Sequence, residues 1–425
     1  MLKSTGYRLS FVIFSDGERV PMLVDETGVP HWYATLFITT QVRNASKAPN
    51  TMQAVLSAVR CLLTWAASQG FDLESRFADR RFLTEGEIES LRAFSQSRHH
   101  SLIAGPPTVA KLGKGKERAR ATLQLVDARV SGATQYIRLT YMADYLEWLA
   151  NRLIECPVRR PNDSALTDIK SMAHSLRLRR PQKSSRSLLS ARRGLTEEAQ
   201  HRLLELVRPG SPCNPFEPDV QQRNYLLVML LYHLGLRAGE LLALKVSDFD
   251  FQLNDVVVAR RHGDVSDPRT NQPVVKTNDR RIPLSNALAD AVSKYVMTWR
   301  RRFTNAKRHA FLLVTHQSGP FQGRPLSIKG LDKVFTTIEK AEPNMLHGLS
   351  AHALRHTAND RLSELMDAND VSAAQEEKMR SYLMGWKEGS GTAATYTRRH
   401  IEKKAREASL MLQQVRRKGA ANGHE

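Results

Sequence analysis

The stretch Ser350-Ala351-His352-Ala353-Leu354-Arg355-His356-Thr357 decides how the second half of the chain is read. Ser350 is an N-cap residue type, and an apolar-periodic run follows it at Leu354, Ala358, Leu362 and Leu365. The stretch therefore opens a helix. On that helix His352 and Arg355 stand three residues apart and share a face. His352 falls in the first turn, where the helix dipole favours a bound anion. A histidine and an arginine at such a position make a cradle for a phosphate. Two other readings stand beside it. His-x-x-Arg is short and recurs by chance, and His352 with His356 has the i, i+4 spacing of a zinc pair. The Glu of a His-Glu-x-x-His zinc protease site is absent, since Ala353 follows His352. The stretch needs partners elsewhere in the chain.

Composition narrows what those partners serve. The chain has 425 residues, 41% of them hydrophobic, enough for two or three domains with their own cores. Its 63 Lys and Arg against 43 Asp and Glu leave a formal charge of +20. Such an excess points to a polyanion, most simply nucleic acid. A membrane is the rival polyanion, but the longest apolar run, Tyr225 to Leu236, is too short to span one and contains His233. No cleavable signal opens the chain, so a cytoplasmic, nucleoid-associated location is expected. Cys61, Cys156 and Cys213 are scattered and odd in number, which fits reduced thiols and neither a disulfide framework nor a cysteine zinc site.

Upstream, residues 1–48 alternate weakly at Leu9, Phe11 and Ile13 around an Asp16-Gly17 turn and read as an N-terminal hairpin or arm. Residues 49–169 read as a helical domain. One helix runs from Thr51 to Gly70, a second starts at the Thr84-x-x-Glu87 capping box, and a third covers 133–153. That third helix places Ile137, Tyr141, Tyr145, Trp148 and Leu149 on one side, a spacing that favours core over base stacking. Between them, residues 105–120 hold Gly-Pro-Pro and then Lys111, Lys114, Lys116, Arg118 and Arg120, a basic loop that either contacts DNA or is simply solvated. Residues 170–193 carry Arg177, Arg179, Arg180, Lys183, Arg186, Arg192 and Arg193 and no acid. This stretch reads as an interdomain linker that tracks a DNA backbone, against the plainer reading of a solvated charge run.

A second domain begins at Gly194. Helices at 196–208 and 219–234 lead to Gly235-Leu236-Arg237-Ala238-Gly239-Glu240. Arg237 lies among apolar residues, where an unpaired charge is costly. Glu240 is either its structural partner or the group that holds it toward a phosphate. A β region follows at 255–261, with Val274-Val275-Lys276-Thr277, an Asn278-Asp279 turn and Arg280-Arg281-Ile282-Pro283-Leu284. Lys276 precedes the hairpin turn, where a lysine is most often only solvated. A helix at 286–302, an apolar strand at Phe311 to Val314 and a helix from Ser327 to the break at Pro343 come next. Beyond the opening stretch, a helix at 371–384 ends at Gly385-Trp386. A Gly-rich spacer leads to Tyr396, and a basic tail helix covers about 399–416.

Taken in order, Arg237, Lys276, His352-x-x-Arg355, Trp386 and Tyr396 resemble the tyrosine recombinase (phage integrase) family over residues 194–410. The resemblance implies a mainly α fold with a small antiparallel β region, in which a helical core-DNA-binding domain precedes an α+β catalytic domain, with a basic tail over 411–425. It also implies a site-specific DNA recombinase, with Tyr396 as nucleophile. Arg237, Lys276, His352, Arg355 and Trp386 take the remaining catalytic positions. The family usually has histidine where Trp386 stands, although some members have tryptophan. An indole N–H can donate to a phosphate oxygen but exchanges no proton at neutral pH. Assembly as a homotetramer on DNA, with accessory DNA-bending or partner recombinase proteins, follows from the same likeness.

The residue chemistry agrees. Two arginines and a helix N-terminus suit the charge that builds on a phosphodiester under attack. A tyrosine can conserve the phosphoester bond in a covalent intermediate. No cofactor and no metal are expected, because no Gly-x-x-x-x-Gly-Lys-Ser/Thr loop and no carboxylate cluster is evident. Strand relaxation of the type IB topoisomerase kind, and DNA binding without catalysis, are the alternatives.

Overall fold

The computed structural model describes residues 6–45, 48–97, 129–154, 164–182, 194–261, 263–273, 275, 277–387, 389 and 405–413. Lys276, Tyr396, Lys114, Lys116, Lys183, Arg186, Arg192 and Arg193 lie outside them, as does the basic loop at 105–120. The chain forms two compact units, one of Met1–Phe14 with Arg19–Ser187, the other of Ser15–Glu18 with Leu188–Glu425.

The first unit is helical around one antiparallel hairpin. Strands β1 (Arg8–Ile13) and β2 (Arg19–Val24) pair in the register Arg8 to Val24. Helix α1 (Trp32–Phe37) and a π-helical turn lead to α2 (Pro49–Ser68), which starts with proline at its first turn. Then come α3 (Leu73–Ala78), α4 (Glu85–Phe94), α5 (Gly132–Ile154) and α6 (Ala165–Leu178). The expected capping box opens α4: Thr84 Oγ1 accepts from the Glu87 backbone N–H, and Glu87 accepts from the Thr84 backbone N–H at 2.8 Å.

Residues 1–48 carry the expected hairpin, β1 with β2, and its Val20 and Leu23 join the core of α2, α5 and α6. Two expectations need correction here. Ile137 is exposed, whereas Tyr145 is buried edge-on against Phe37 at 5.3 Å. The stretch read as linker from residue 170 is helix as far as Leu178. Its apolar residues Ile169, Met172 and Leu176 are buried at i, i+3, i+7 spacing, and this packing outweighs the basic composition.

The second unit opens with α7 (Glu197–Val207), capped by Thr196, and α8 (Pro218–Leu234). As its all-round apolar sequence requires, α8 is the central helix of the core. It stops at Gly235, whose φ of +58° is left-handed. Helix α9 (Ala238–Ala243) leads to a three-stranded antiparallel sheet of β3 (Phe249–Asp250), β4 (Asp255–Val258) and β5 (Arg280–Pro283) in that order. Helix α10 (Asn286–Lys294) continues through π and 3-10 turns to Arg302. Residues 311–314 are no strand; they make only isolated bridges, Lys245 to Phe311 and Val314 to Pro325. Helix α11 (Ile328–Ala341) is capped by Ser327, α12 (Ala351–Ala368) by Ser350 and α13 (Ala373–Met384) by Ser372. On α12, Leu354 and Ala358 are buried as expected, but Leu365 is exposed and Met366 takes the inward position. Residues 405–413 are helical.

Candidate functional site

The second unit gathers arginines around one carboxylate. Glu240 is 1% exposed and sits on α9, three residues after Arg237. Its Oε2 accepts from the Arg237 backbone N–H at 3.0 Å and from Arg280 Nη2 at 2.9 Å. Its Oε1 accepts from Arg237 Nη1 at 3.4 Å and from the Thr277 hydroxyl. Arg355 Nη1 lies 3.7 Å from Oε2. Burial pushes the Glu240 carboxyl up. The Arg280 charge and hydrogen bond, the Arg355 charge and the Thr277 hydroxyl more than reverse this and hold it below the usual carboxylate range.

Local structure explains how each group arrives. Arg237 is the N-cap of α9, in extended backbone, and its side chain is about one-third exposed. Arg280 starts β5, and the period-2 alternation of that strand turns Arg280 and Ile282 inward together. Its Nε donates to the Leu383 carbonyl at 2.7 Å and its Nη1 to Thr277 Oγ1 at 3.4 Å. Arg280 thus ties the hairpin to the end of α13. The Asn278 N–H adds a second tie, to the Gly385 carbonyl at 3.0 Å.

Arg355 is 1% exposed. It donates from Nη1 to the Gly235 carbonyl at 2.7 Å and from Nη2 to the Met384 carbonyl at 2.9 Å. Both carbonyls sit at helix C-termini, where unsatisfied C=O groups and the negative dipole end favour a cation. Gly235 is required at this junction. With its positive φ, a Cβ there would also meet Met384 Cε at 3.0 Å and Ala358 Cβ at 3.1 Å.

Trp386 is buried, with the Arg355 guanidinium 5.3 Å from its ring centroid. Its backbone N–H donates to the Ser381 carbonyl at 2.8 Å. Asn359 Nδ2 donates to the Arg355 carbonyl at 2.8 Å. The fully buried Arg380 donates in turn to Asn359 Oδ1 at 2.9 Å and pairs with Glu376.

His352 stands in the first turn of α12, as its position after Ser350 requires, and it is exposed. Its Nε2 shares a hydrogen bond of 3.1 Å with His356 Nε2. The expectation that His352 and Arg355 share one face is thus realised only in part. They are helix neighbours, but the arginine turns into the core and the histidine stays outside. Among the described residues, no group of three or more His, Cys, Asp or Glu could hold a metal ion.

The basic residues read as linker behave differently. Arg177 pairs with Asp144 at 2.7 Å and Glu147 at 2.8 Å. Arg179 pairs with Glu85 and, at 3.3 Å, with Glu89. Arg180 donates to the Arg177 carbonyl and lies over the Tyr136 ring. All three are held inside the first unit by these contacts. Arg280, Thr277, Asn359 and Arg380 were not singled out from sequence. For Arg280 a signal existed: it stands two residues before Ile282 on a strand and so falls on the inward face.

Residues 195–403 match the phage integrase family model. The chain is 28% identical to tyrosine recombinase XerD of Halalkalibacterium halodurans over 36% of this chain and 44% of that protein. It is 30% identical to tyrosine recombinase XerC of Bacillus licheniformis over the same shares. With tyrosine recombinase XerA of Thermococcus kodakarensis it shares 26% identity over 56% of this chain and 68% of that protein. The chain thus spans under half the length of the first two of these curated relatives. Among solved structures it is similar to the XerH site-specific recombinase bound to palindromic difH substrate. That match has 15% identity, covers 90% of this chain and 94% of that one, and has a TM-score of 0.47.

Proposed function

The second half of the chain belongs to the phage integrase family, and from that premise we propose that the protein is a site-specific DNA recombinase that cuts and rejoins strands through a 3′-phosphotyrosyl intermediate. The observation that carries this reading is the cluster at Glu240. Three guanidiniums, from Arg237, Arg280 and Arg355, share one buried carboxylate. The surplus positive charge meets solvent at Arg237, the one of the three that is partly exposed. Such a field suits the charge that builds on the non-bridging oxygens of a phosphodiester under attack.

In the proposed reaction Tyr396 Oη attacks the phosphorus, and the bond from phosphorus to the 5′ oxygen breaks. The tyrosyl proton passes to His352, and Lys276 protonates the departing 5′ oxygen. The energy of the broken phosphoester is kept in the new one, so a 5′ hydroxyl from a partner strand can reverse the step and rejoin DNA. Arg237 contacts the phosphate, and Arg355 acts with it from below. Trp386 packs on Arg355 and fixes its plane.

Double-stranded DNA is the proposed partner. Lys114, Lys116, Lys183, Arg186, Arg192 and Arg193 are its proposed backbone contacts, together with Arg177, Arg179 and Arg180 where DNA draws them from their present partners. Assembly as a homotetramer on two duplexes, helper proteins and a nucleoid-associated location belong to the same proposal. Among the described residues no helix is long and apolar enough to cross a membrane.

Covalent trapping tests the reading. The full-length protein is incubated with nicked DNA from around its own gene and denatured, and protein–DNA adducts are resolved. An adduct at one sequence, lost in Tyr396→Phe, is expected. Binding that persists in both proteins with no adduct would leave a DNA-binding protein without catalysis. Relaxation of plasmid lacking any such site would favour the topoisomerase alternative.

A further inference from the structure

Inside the second unit, at the opposite end of α8 from Arg237, lies a cavity of about 770 Å³. Its size is that of a small-molecule pocket. Arg223 and Gly235 are twelve residues apart on α8, which places this cavity roughly 18 Å from the Glu240 cluster. The walls bring together Arg223 and Asn224 of α8, Lys333 of α11, and Phe216 and Phe321 from the flanking loops.

Arg223 is 7% exposed and forms no ion pair among the described residues. Its Nε and Nη2 both donate to the single Asn224 Oδ1, at 3.0 and 2.7 Å, and its Nη1 donates to the Val314 carbonyl at 3.3 Å. A guanidinium has five N–H donors, so two remain. Four other buried arginines of the second unit are better compensated. Arg280 and Arg355 share Glu240, Arg380 pairs with Glu376, and Arg300 donates to three backbone carbonyls. Asn224 is 1% exposed, and its Nδ2 has no hydrogen-bond acceptor among the described residues. The carboxylates of Glu217 and Asp219 also line the cavity, yet neither pairs with Arg223. A buried cation with only neutral partners and an orphaned amide donor beside it are both costly without an acceptor.

We propose that this cavity binds a small organic anion, a phosphate or carboxylate on an apolar or aromatic body, with the anionic group on Arg223 and Asn224. The body lies between Phe216 and Phe321, and Lys333 adds a second charge. This inference stands apart from the recombinase reading, since it uses none of the residues of the Glu240 cluster.

Calorimetric titration of the full-length protein with phenyl phosphate, benzoate and inorganic phosphate tests it. One-site saturable binding of phenyl phosphate or benzoate is expected, tighter than that of inorganic phosphate, which lacks the apolar body. The stronger of the two organic probes identifies the anionic group. Asn224→Asp places a carboxylate on Arg223 from within and removes the orphaned donor. It should keep the fold and weaken binding at least about tenfold, or ~1.4 kcal/mol. Should that variant not fold, Thr337→Trp, on the cavity wall, should block binding instead. No saturable binding of either organic probe, or equal binding by a folded Asn224→Asp, would overturn the proposal. Displacement of the probe by duplex DNA of random sequence would also overturn it, by assigning the pocket to the DNA backbone.

Discussion

The Glu240 carboxylate and the Arg280 guanidinium, forty residues apart in the chain, meet at 2.9 Å with almost no solvent on either. That contact joins the short helix after Arg237 to the strand that begins at Arg280. Arg280 reaches on to the Leu383 carbonyl, and Arg355 approaches the same carboxylate from α12. One buried acid thereby helps to set the relative positions of α9, β5 and α12, alongside the backbone-carbonyl bonds of Arg280 and Arg355.

Replacing Glu240 by alanine takes from the buried Arg280 its carboxylate partner and from Arg355 a nearby opposite charge. Removing one partner of a buried pair costs roughly 3–5 kcal/mol. Urea unfolding of Glu240→Ala should show a loss of that order. A loss below about 1 kcal/mol, the range of a surface pair, would mean that Glu240 is not the hub.

Arg237→Ala and Arg355→Ala should separate stability from chemistry. Arg237 is partly exposed, and its removal should shift unfolding by no more than about 0.5 kcal/mol, as at ordinary surface positions, while abolishing the covalent adduct. Arg355→Ala should abolish the adduct too, leave DNA binding nearly intact and lower the unfolding midpoint, because Arg355 ties two helix C-termini. Trp386→Ala should reduce adduct formation less than Arg237→Ala. The opposite order would show that Trp386 contacts the reacting phosphate more closely than Arg237 does.

Gly385 has a φ of +66°, and a Cβ there would fall 2.8 Å from both Arg280 Nη1 and Thr277 Cβ and 3.0 Å from the Asn278 carbonyl oxygen. Gly385→Ala should therefore strain the turn and push the hairpin away from α13. Single-turnover cleavage should slow while DNA affinity holds. An unchanged cleavage rate would uncouple this turn from the site.

DNA affinity should fall steeply with salt, because each lysine or arginine on a phosphate releases a counterion on binding. A flat response between low and physiological salt would remove the basic segments from the interface.

Acid should weaken the second unit through His316. Burial, aided by the Arg223 and Arg302 charges and opposed by the Asp219 carbonyl and charge, holds its imidazole down to about 4. Between that value and the unperturbed value near 6.5, the unfolded chain takes up a proton that the folded chain refuses. Stability is full above pH ~6.5 and falls progressively toward pH ~4, by on the order of 3 kcal/mol over the window. His316→Gln should flatten that part of a urea-midpoint-against-pH curve, and an equally steep curve in the variant would exclude His316 as the cause.

Much of the second unit was legible before any coordinates. Ser350 as a cap, Ser327 as a helix start, Gly235 and Gly385 as stops and the apolar run from Tyr225 to Leu236 are local signals, and each marks its element. The order Arg237, Lys276, His352, Arg355, Trp386, Tyr396 is likewise a property of the sequence alone, and it carries the resemblance to the phage integrase family, whose model matches residues 195–403. In the first unit the same reading failed at residue 170, where basic composition suggested a linker and buried Ile169, Met172 and Leu176 make a helix.

What sequence could not decide is where each charge ends up. His352 and Arg355 have the same helical periodicity relative to their neighbours, yet one is exposed and the other is at the centre of the unit. That difference depends on the Gly235 and Met384 carbonyls and on Glu240, which reach Arg355 only through the packing of α8, α9 and α13. Strand alternation can turn Arg280 inward, but only the fold brings Glu240 and the end of α13 to it. Helix caps and periodicity are set by residues within a turn or two, and so they can be read along the chain. The burial of a charge is set by partners far away in sequence, because only their combined charges and hydrogen bonds offset its desolvation.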